Sequence, residues 1–427
     1  MKRRMSMFFN KNKTEKFKEQ PLGYWEAESY MQVVPENPSQ ELLDSVCERV
    51  AKIEGVTIIE EHKLTENEPG KIKLSYEKEE YVIGYYPSKF SVPEMYLNKN
   101  YYFSEDELKK LKNANTSLTI FMKFNQDSKK SYHLQLKIAV AMIPNLLGVM
   151  DESAEKIMPP SWVKMTADSK VLPGSNDLFT VQAVSGDKGE VWLHTHGLCR
   201  CGLTELEILQ SDKDNYNNHY HLIATFASYL IDKKENNPKS AYIGLLSNKQ
   251  PVVATYISWT NGLSEYKNLK LGNISDRKDG HNSKTSIIFV YKSEEDEKQG
   301  KFTKVSEFND KWGDNPIFFI SNEETARMKQ LAEERFDFVK KASAEKENKI
   351  TLKIGLPIDD ENNYEHIWFE CIAFEGDKFK AKLLQEPYQV KGIHEGDENW
   401  YTVQDVTDWV IYTPHFAVNP GNVYVLK

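Results

Sequence analysis

The sequence predicts a multi-domain α+β protein, with a ferredoxin-like N-terminal unit, a central mixed α/β unit and a C-terminal small β-barrel or twisted sheet. Three observations lead there. The chain has 427 residues, enough for about three domains that each bury a core. Amphipathic helical segments alternate with short β-branched and aromatic segments over most of its length. The final stretch then reads as strand after strand, separated by Gly-Asp turns. The division that follows is a basic, flexible tail over 1–20, an N-terminal unit over 21–127, a central domain over 128–320, and a linker helix with a β-rich module over 321–427.

The N-terminal unit is expected to open with a helix over Gln40–Ile53, capped by Ser39 and stopped by Gly55. Strands follow at Val56–Ile59, Lys71–Ser75 and Tyr81–Tyr86. Ser104 and Glu107 make a capping box for a short helix to Leu111, and Ser117–Phe124 is another strand. The segment Tyr132–Met150 is apolar nearly all round, which marks a helix buried between layers; Pro144 should kink it or end it early.

In the central domain, strands are predicted at Leu178–Val184 and Val191–His196 across the Gly186–Gly189 turn, and at Val252–Trp259 and Ser286–Tyr291. Between these pairs lies a helix, Tyr216–Ile231, with Tyr220, Ile223, Ala227 and Leu230 inward. Asn261–Lys284 is rich in Gly, Asn, Asp and Ser and reads as loop; the residues from Glu294 to Trp312 read as a charged, mobile connection. Ser321 and Glu324 cap a linker helix to about Ala344 that buries Met328, Leu331, Phe336, Val339 and Ala342. Five strands then run from Ile350 to Tyr412.

Composition narrows the function. Hydrophobic residues make up 40% and charged residues 28%, an ordinary soluble balance. A formal net charge of −9 argues against a nucleic-acid surface. Four cysteines, Cys47, Cys199, Cys201 and Cys371, suit free thiols in a reducing cytoplasm. The apolar core of the basic N-terminus, Met5–Phe9, is too short for an export signal, and no run of about 18 apolar residues marks a membrane span.

One stretch concentrates chemistry: Glu190–Leu209, EVWLHTHGLCRCGLTELEIL. His194 and His196 alternate on a strand and so project to one face, a common two-ligand arrangement for zinc. The spacing His-x-His-x7-Thr-x-x-Glu is similar to the JAMM zinc isopeptidase signature, His-x-His-x7-Ser-x-x-Asp. That resemblance implies His194, His196 and Glu207 as zinc ligands, Thr204 beside the oxyanion, and an upstream Glu that activates water. Glu152 and Glu155 answer to that Glu by position only. Against it, Gly197 stands where Pro is usual, and both Ser and Asp are replaced. The competing reading is a structural strand–turn–strand in which Gly197 and Gly202 permit tight turns. His219 and His221 lie two apart on a helix, so they face apart and cannot share an ion.

Elsewhere, Trp368, Trp400 and Trp409 form an aromatic concentration, read as core or as a recognition face, and His366 with Asp408 is a candidate acid–base pair. No Walker, Rossmann, Gly-x-Ser-x-Gly or His-Glu-x-x-His pattern occurs.

The sequences THGL, Gly202 and ELEI, with IAVAMIPNLLGVMDESAEKIMPPSWV over Ile138–Val163, resemble the domain-of-unknown-function family 4026. Glu365-His366-Ile367-Trp368, FKAKLLQEP, Gly396-Asp397 and Val406-Thr407-Asp408-Trp409 resemble family 2314, although Ala381 and Gln385 replace its usual Gly and Asn. The two resemblances imply a fold and no activity. The expectation is a cytoplasmic bacterial protein without a cofactor. Its role is non-catalytic protein binding, of the immunity or adaptor kind, with no nucleic-acid or membrane partner. The alternative is a zinc hydrolase.

Overall fold

The computed structural model describes residues 27–97, 101–187, 189–234, 240–277, 284–312, 316–359 and 363–426. The tail expected over 1–20 lies outside them.

The first of three sheets has seven strands, all antiparallel to their neighbours. Strand Glu28–Pro35, helical turns Gln40–Asp44 and Val46–Val50, strands Glu79–Lys89 and Thr116–Lys123, helix Ser128–Met142 and strand Leu146–Asp151 trace a β-α-β-β-α-β path. Its strands lie in the spatial order second, third, first, fourth, which is the ferredoxin-like arrangement. The hairpin Val56–His62/Gly70–Tyr76 widens one edge, and Lys156–Met158 widens the other.

The ferredoxin-like expectation therefore fits, but its boundary at residue 127 does not. The second helix and fourth strand of the motif come after that point. Helix Ser128–Met142 is buried on almost every side, so its sequence carries no sign of which sheet it serves. It ends before Pro144, and Leu146–Asp151 continues as a strand. The first helix is shorter than predicted and breaks at Ser45; Arg49 fills the break, donating to Leu42 O and to Met142 O (2.7 Å).

The second sheet joins two meanders. Thr180–Ser185, Glu190–His196 and Glu205–Asp212 form one; Ala241–Leu245, Pro251–Ser258 and Thr285–Val290 form the other. Helix Tyr216–Lys233 links them, and their third strands pair in parallel. The helix buries Leu222, Ile223, Phe226, Ala227 and Leu230, leaving Tyr220 only half-buried. The segment to Trp312 is not mobile connection: Val305, Phe308 and Trp312 are buried. These two sheets share one continuous hydrophobic core.

The C-terminal module is an open, six-stranded antiparallel sheet with Glu398–Thr402 and Ala417–Val418 at opposite edges, and not a closed barrel. The linker helix is two helices, Asn322–Glu334 and Phe336–Ala342, with Met328 half-buried. Phe336, Val339 and Ala342 pack into the core of the sheet. The chain's last turn returns to the first unit, where the Tyr424 hydroxyl accepts from Tyr102 N at 2.9 Å. Among the described residues no helix is long and apolar enough to cross a membrane.

Candidate functional site

The strand Glu190–His196 presents His194 and His196 on one face, as its alternation requires, with ring centroids 4.9 Å apart and edge to face. Glu207 stands directly across from His194 on the neighbouring strand. Its carboxylate does not turn to the histidines. Arg277 Nη2 donates to both its oxygens (2.8 and 2.9 Å), Trp192 Nε1 to one (2.9 Å) and Thr285 Oγ1 to the other (3.0 Å). A guanidinium thus holds the oxygens a zinc ion would need, and a second cation there would be repelled.

Thr204 is equally committed, its hydroxyl lying 2.9 Å from Ser286 Oγ. Of the upstream candidates, Glu155 reaches His196 Nδ1 at 3.5 Å while accepting from Gln182; Glu152 accepts from Gln32. No three His, Cys, Asp or Glu side chains among the described residues are grouped to hold a metal ion. The residues do not fit the zinc reading, and Glu207 is corrected from ligand to ion-pair partner.

The turn after His196 explains the glycine. Gly197 has φ +116°, and a Cβ there would lie 2.4 Å from Leu178 O. Glu205 caps the turn, accepting from Gly197 N (2.9 Å), Cys199 N (3.0 Å) and Thr195 Oγ1 (2.7 Å). Arg200, inside the turn, forms a two-pronged pair with Asp151 of the first sheet (2.8 and 2.9 Å), both side chains fully buried. Its guanidinium also donates to Ser29 Oγ and Leu178 O, and lies over the Tyr132 ring at 4.8 Å. The stretch joins one half of the core to the other. All four cysteines are free.

His219 and His221 do face apart, and His219 is fully buried. It bonds Ser211 and Asn309. Burial pushes His219 down to about 4, and His133 likewise to about 4. Both lie below the unfolded value of about 6.5, so the unfolded chain takes up these protons first. Stability should fall as pH drops from about 6.5 towards 4, by roughly 2–3 kcal/mol for each ring at most. A urea midpoint that stays flat across that window would contradict the assignment.

A cavity of about 940 Å³ lies between the second sheet, the linker helix and the C-terminal module. That is within the range of ligand pockets. Helix Tyr216–Lys233 lines it with Tyr220, Ala224 and Ser228, one helical stripe that sequence reading assigned only in part and to the core. Tyr242 and Phe319 stand exposed at its rim (48% and 42%). Burial pushes the Asp232 carboxyl up, but the bonds it accepts from Lys129 (2.8 Å), Ser175 (2.5 Å) and Ser321 (2.7 Å) together hold it below the usual range. Glu324 and Arg327 form a two-pronged pair, both bonds 2.7 Å.

The three tryptophans do not make one face. Trp409 is core, its indole N–H donating to Ala332 O at 2.9 Å. Trp400 is exposed on an edge strand. Trp368, half-buried, lines the cleft with Asp408. The predicted His366–Asp408 pair is not formed: His366 Nδ1 lies 3.1 Å from Thr407 Oγ1, and Asp408 accepts from Trp409 N at 2.8 Å.

Three family models match the chain. The N-terminal model of the protein of unknown function DUF4026 covers residues 29–173 and its C-terminal model covers 181–289. DUF2314, described as an uncharacterised protein conserved in bacteria, covers 326–419. The gap between the first two falls where the chain passes from the first sheet to the second. No curated protein and no solved structure matches the chain.

Proposed function

The chain belongs to the DUF4026 family and ends in a DUF2314 module, and we propose that it is a non-catalytic protein-binding protein whose recognition site is the cleft between the central domain and that module. Toxin neutralisation, as by an immunity protein, is one form of this reading. It takes the compartment as the bacterial cytoplasm, which four free cysteines suit.

The carrying observation is the make-up of the cleft. It is aromatic-lined and has exposed apolar residues at its rim, as a protein-binding groove needs. Two of its three carboxylates are already engaged, Asp232 by three donors and Glu324 by Arg327. Nucleophilic or acid–base chemistry asks instead for a base in reach of the group it activates. The one couple predicted here, His366 with Asp408, is turned to other partners.

The test fills the groove. Full-length protein should capture a stoichiometric protein partner from its source cells. Ala224→Trp, which plugs the cleft, and Tyr242→Asp, which charges its rim, should each abolish capture with the melting temperature unchanged. No stoichiometric partner, or a partner kept by both variants, overturns the reading.

A further inference from the structure

We infer that the cleft's anchor takes a cationic side chain, the guanidinium or ammonium of an Arg or Lys on a partner's peptide segment; this rests on the cleft being the recognition site. The observation behind it is a row of three residues crossing the C-terminal sheet. Trp368 pairs with Lys353, and Lys353 pairs with Asp408, on adjacent strands. Residues directly opposite in a sheet share a face. Trp368 and Asp408 of this row line the cleft.

The charges that line the cavity are three carboxylates, Asp232, Glu324 and Asp408, against two basic side chains, Lys233 and Arg327. Asp232 is matched by Lys129 and Glu324 by Arg327. Asp408 forms no ion pair among the described residues, and its one hydrogen bond there is to the Trp409 N–H. Burial raises its carboxyl above the ordinary value, and Lys353 opposes that only in part. An incoming cation would relieve this carboxylate.

The indole beside it suits the same chemistry. Lys353 Nζ lies 5.7 Å from the centre of the Trp368 ring, so the wall already holds a cation over that ring. A ligand guanidinium would take the same ground and displace Lys353. Tyr242 and Phe319 at the rim could then cover the apolar stem of the incoming side chain. A net charge of −9 would speed the approach of a basic partner.

The test uses the full chain and two labelled peptides of Gly and Ser, one carrying two Arg and the other two Glu, read by fluorescence anisotropy. The Arg peptide should bind and the Glu peptide should not. Asp408→Asn, which keeps the side chain's shape, and Trp368→Leu should each weaken binding tenfold or more. Lys353→Met should strengthen it threefold or more, since it removes the competing cation. Preference for the Glu peptide, weaker binding by Lys353→Met, or unchanged binding by Asp408→Asn overturns the inference. If Arg3→Gln with Arg4→Gln tightens binding as much as Lys353→Met, the occupant is the chain's own basic segment and a partner's side chain is ruled out. If partner capture is lost in Ala224→Trp but kept in Asp408→Asn and Trp368→Leu, the cleft stands and the cationic anchor falls. If Ala224→Trp keeps its partner, both fall.

Discussion

Replacing Arg200 with Met should lower folding stability by about 3–5 kcal/mol, the cost of leaving one partner of a buried ion pair without the other. Arg200 and Asp151 are both completely buried, and the pair joins the turn after His196 to the last long strand of the first sheet. Once the guanidinium is gone, the one hydrogen bond that the Asp151 carboxylate keeps among the described residues is from the Ala154 N–H at 3.1 Å. Ser29 and Leu178 lose a donor as well. The urea midpoint should drop with an unchanged slope, as expected when the folded state loses an interaction and the surface exposed on unfolding stays the same. Asp151→Leu combined with Arg200→Met should recover much of the loss, because a matched apolar pair carries no stranded charge. A single variant as stable as the parent would show that the two halves of the core are not joined there.

Gly197→Ala is the second large effect. The residue sits at φ +116°, where side chains are strained, and the new methyl would meet the Leu178 carbonyl at 2.4 Å. Backbone strain of about 1–3 kcal/mol and overpacking of about 1–3 kcal/mol act together here. A loss of roughly 2–6 kcal/mol in chemical unfolding follows. Gly202 also has a positive φ, +74°, at the C-cap of a short 3-10 turn. If Gly197→Ala proved harmless, the glycine would need another explanation.

How far the sequence could be read depended on whether a signal was local. Strands of the C-terminal module were legible because apolar residues alternate and Gly-Asp turns punctuate them; Gly376 and Gly396 do have positive φ. The histidine strand was legible for the same reason. Strand Glu28–Pro35, central to the first sheet, was not among the expected elements. Nor was the extent of that unit, because the helix that completes it is buried on almost every side and names no neighbour. Arg277 ends a 3-10 turn, Ile274–Arg277, in a segment that reads as loop, and nothing in a Gly- and Asn-rich stretch announces that one arginine reaches Glu207 some 70 residues away. That arginine is what separates a similar spacing of residues from a metal site. The cleft was hidden for a related reason: it is made by residues from three separate regions, and of these only Trp368 and Asp408 stand out as functional candidates in the sequence.

Glu207 belongs to Arg277 and not to a metal ion. Elemental analysis of protein purified without chelator, with melting curves before and after EDTA, tests this most directly. Less than a tenth of a zinc per chain and an unmoved melting temperature are expected. About one zinc per chain, removed by EDTA with a fall in melting temperature and lost in His194→Ala, would contradict it.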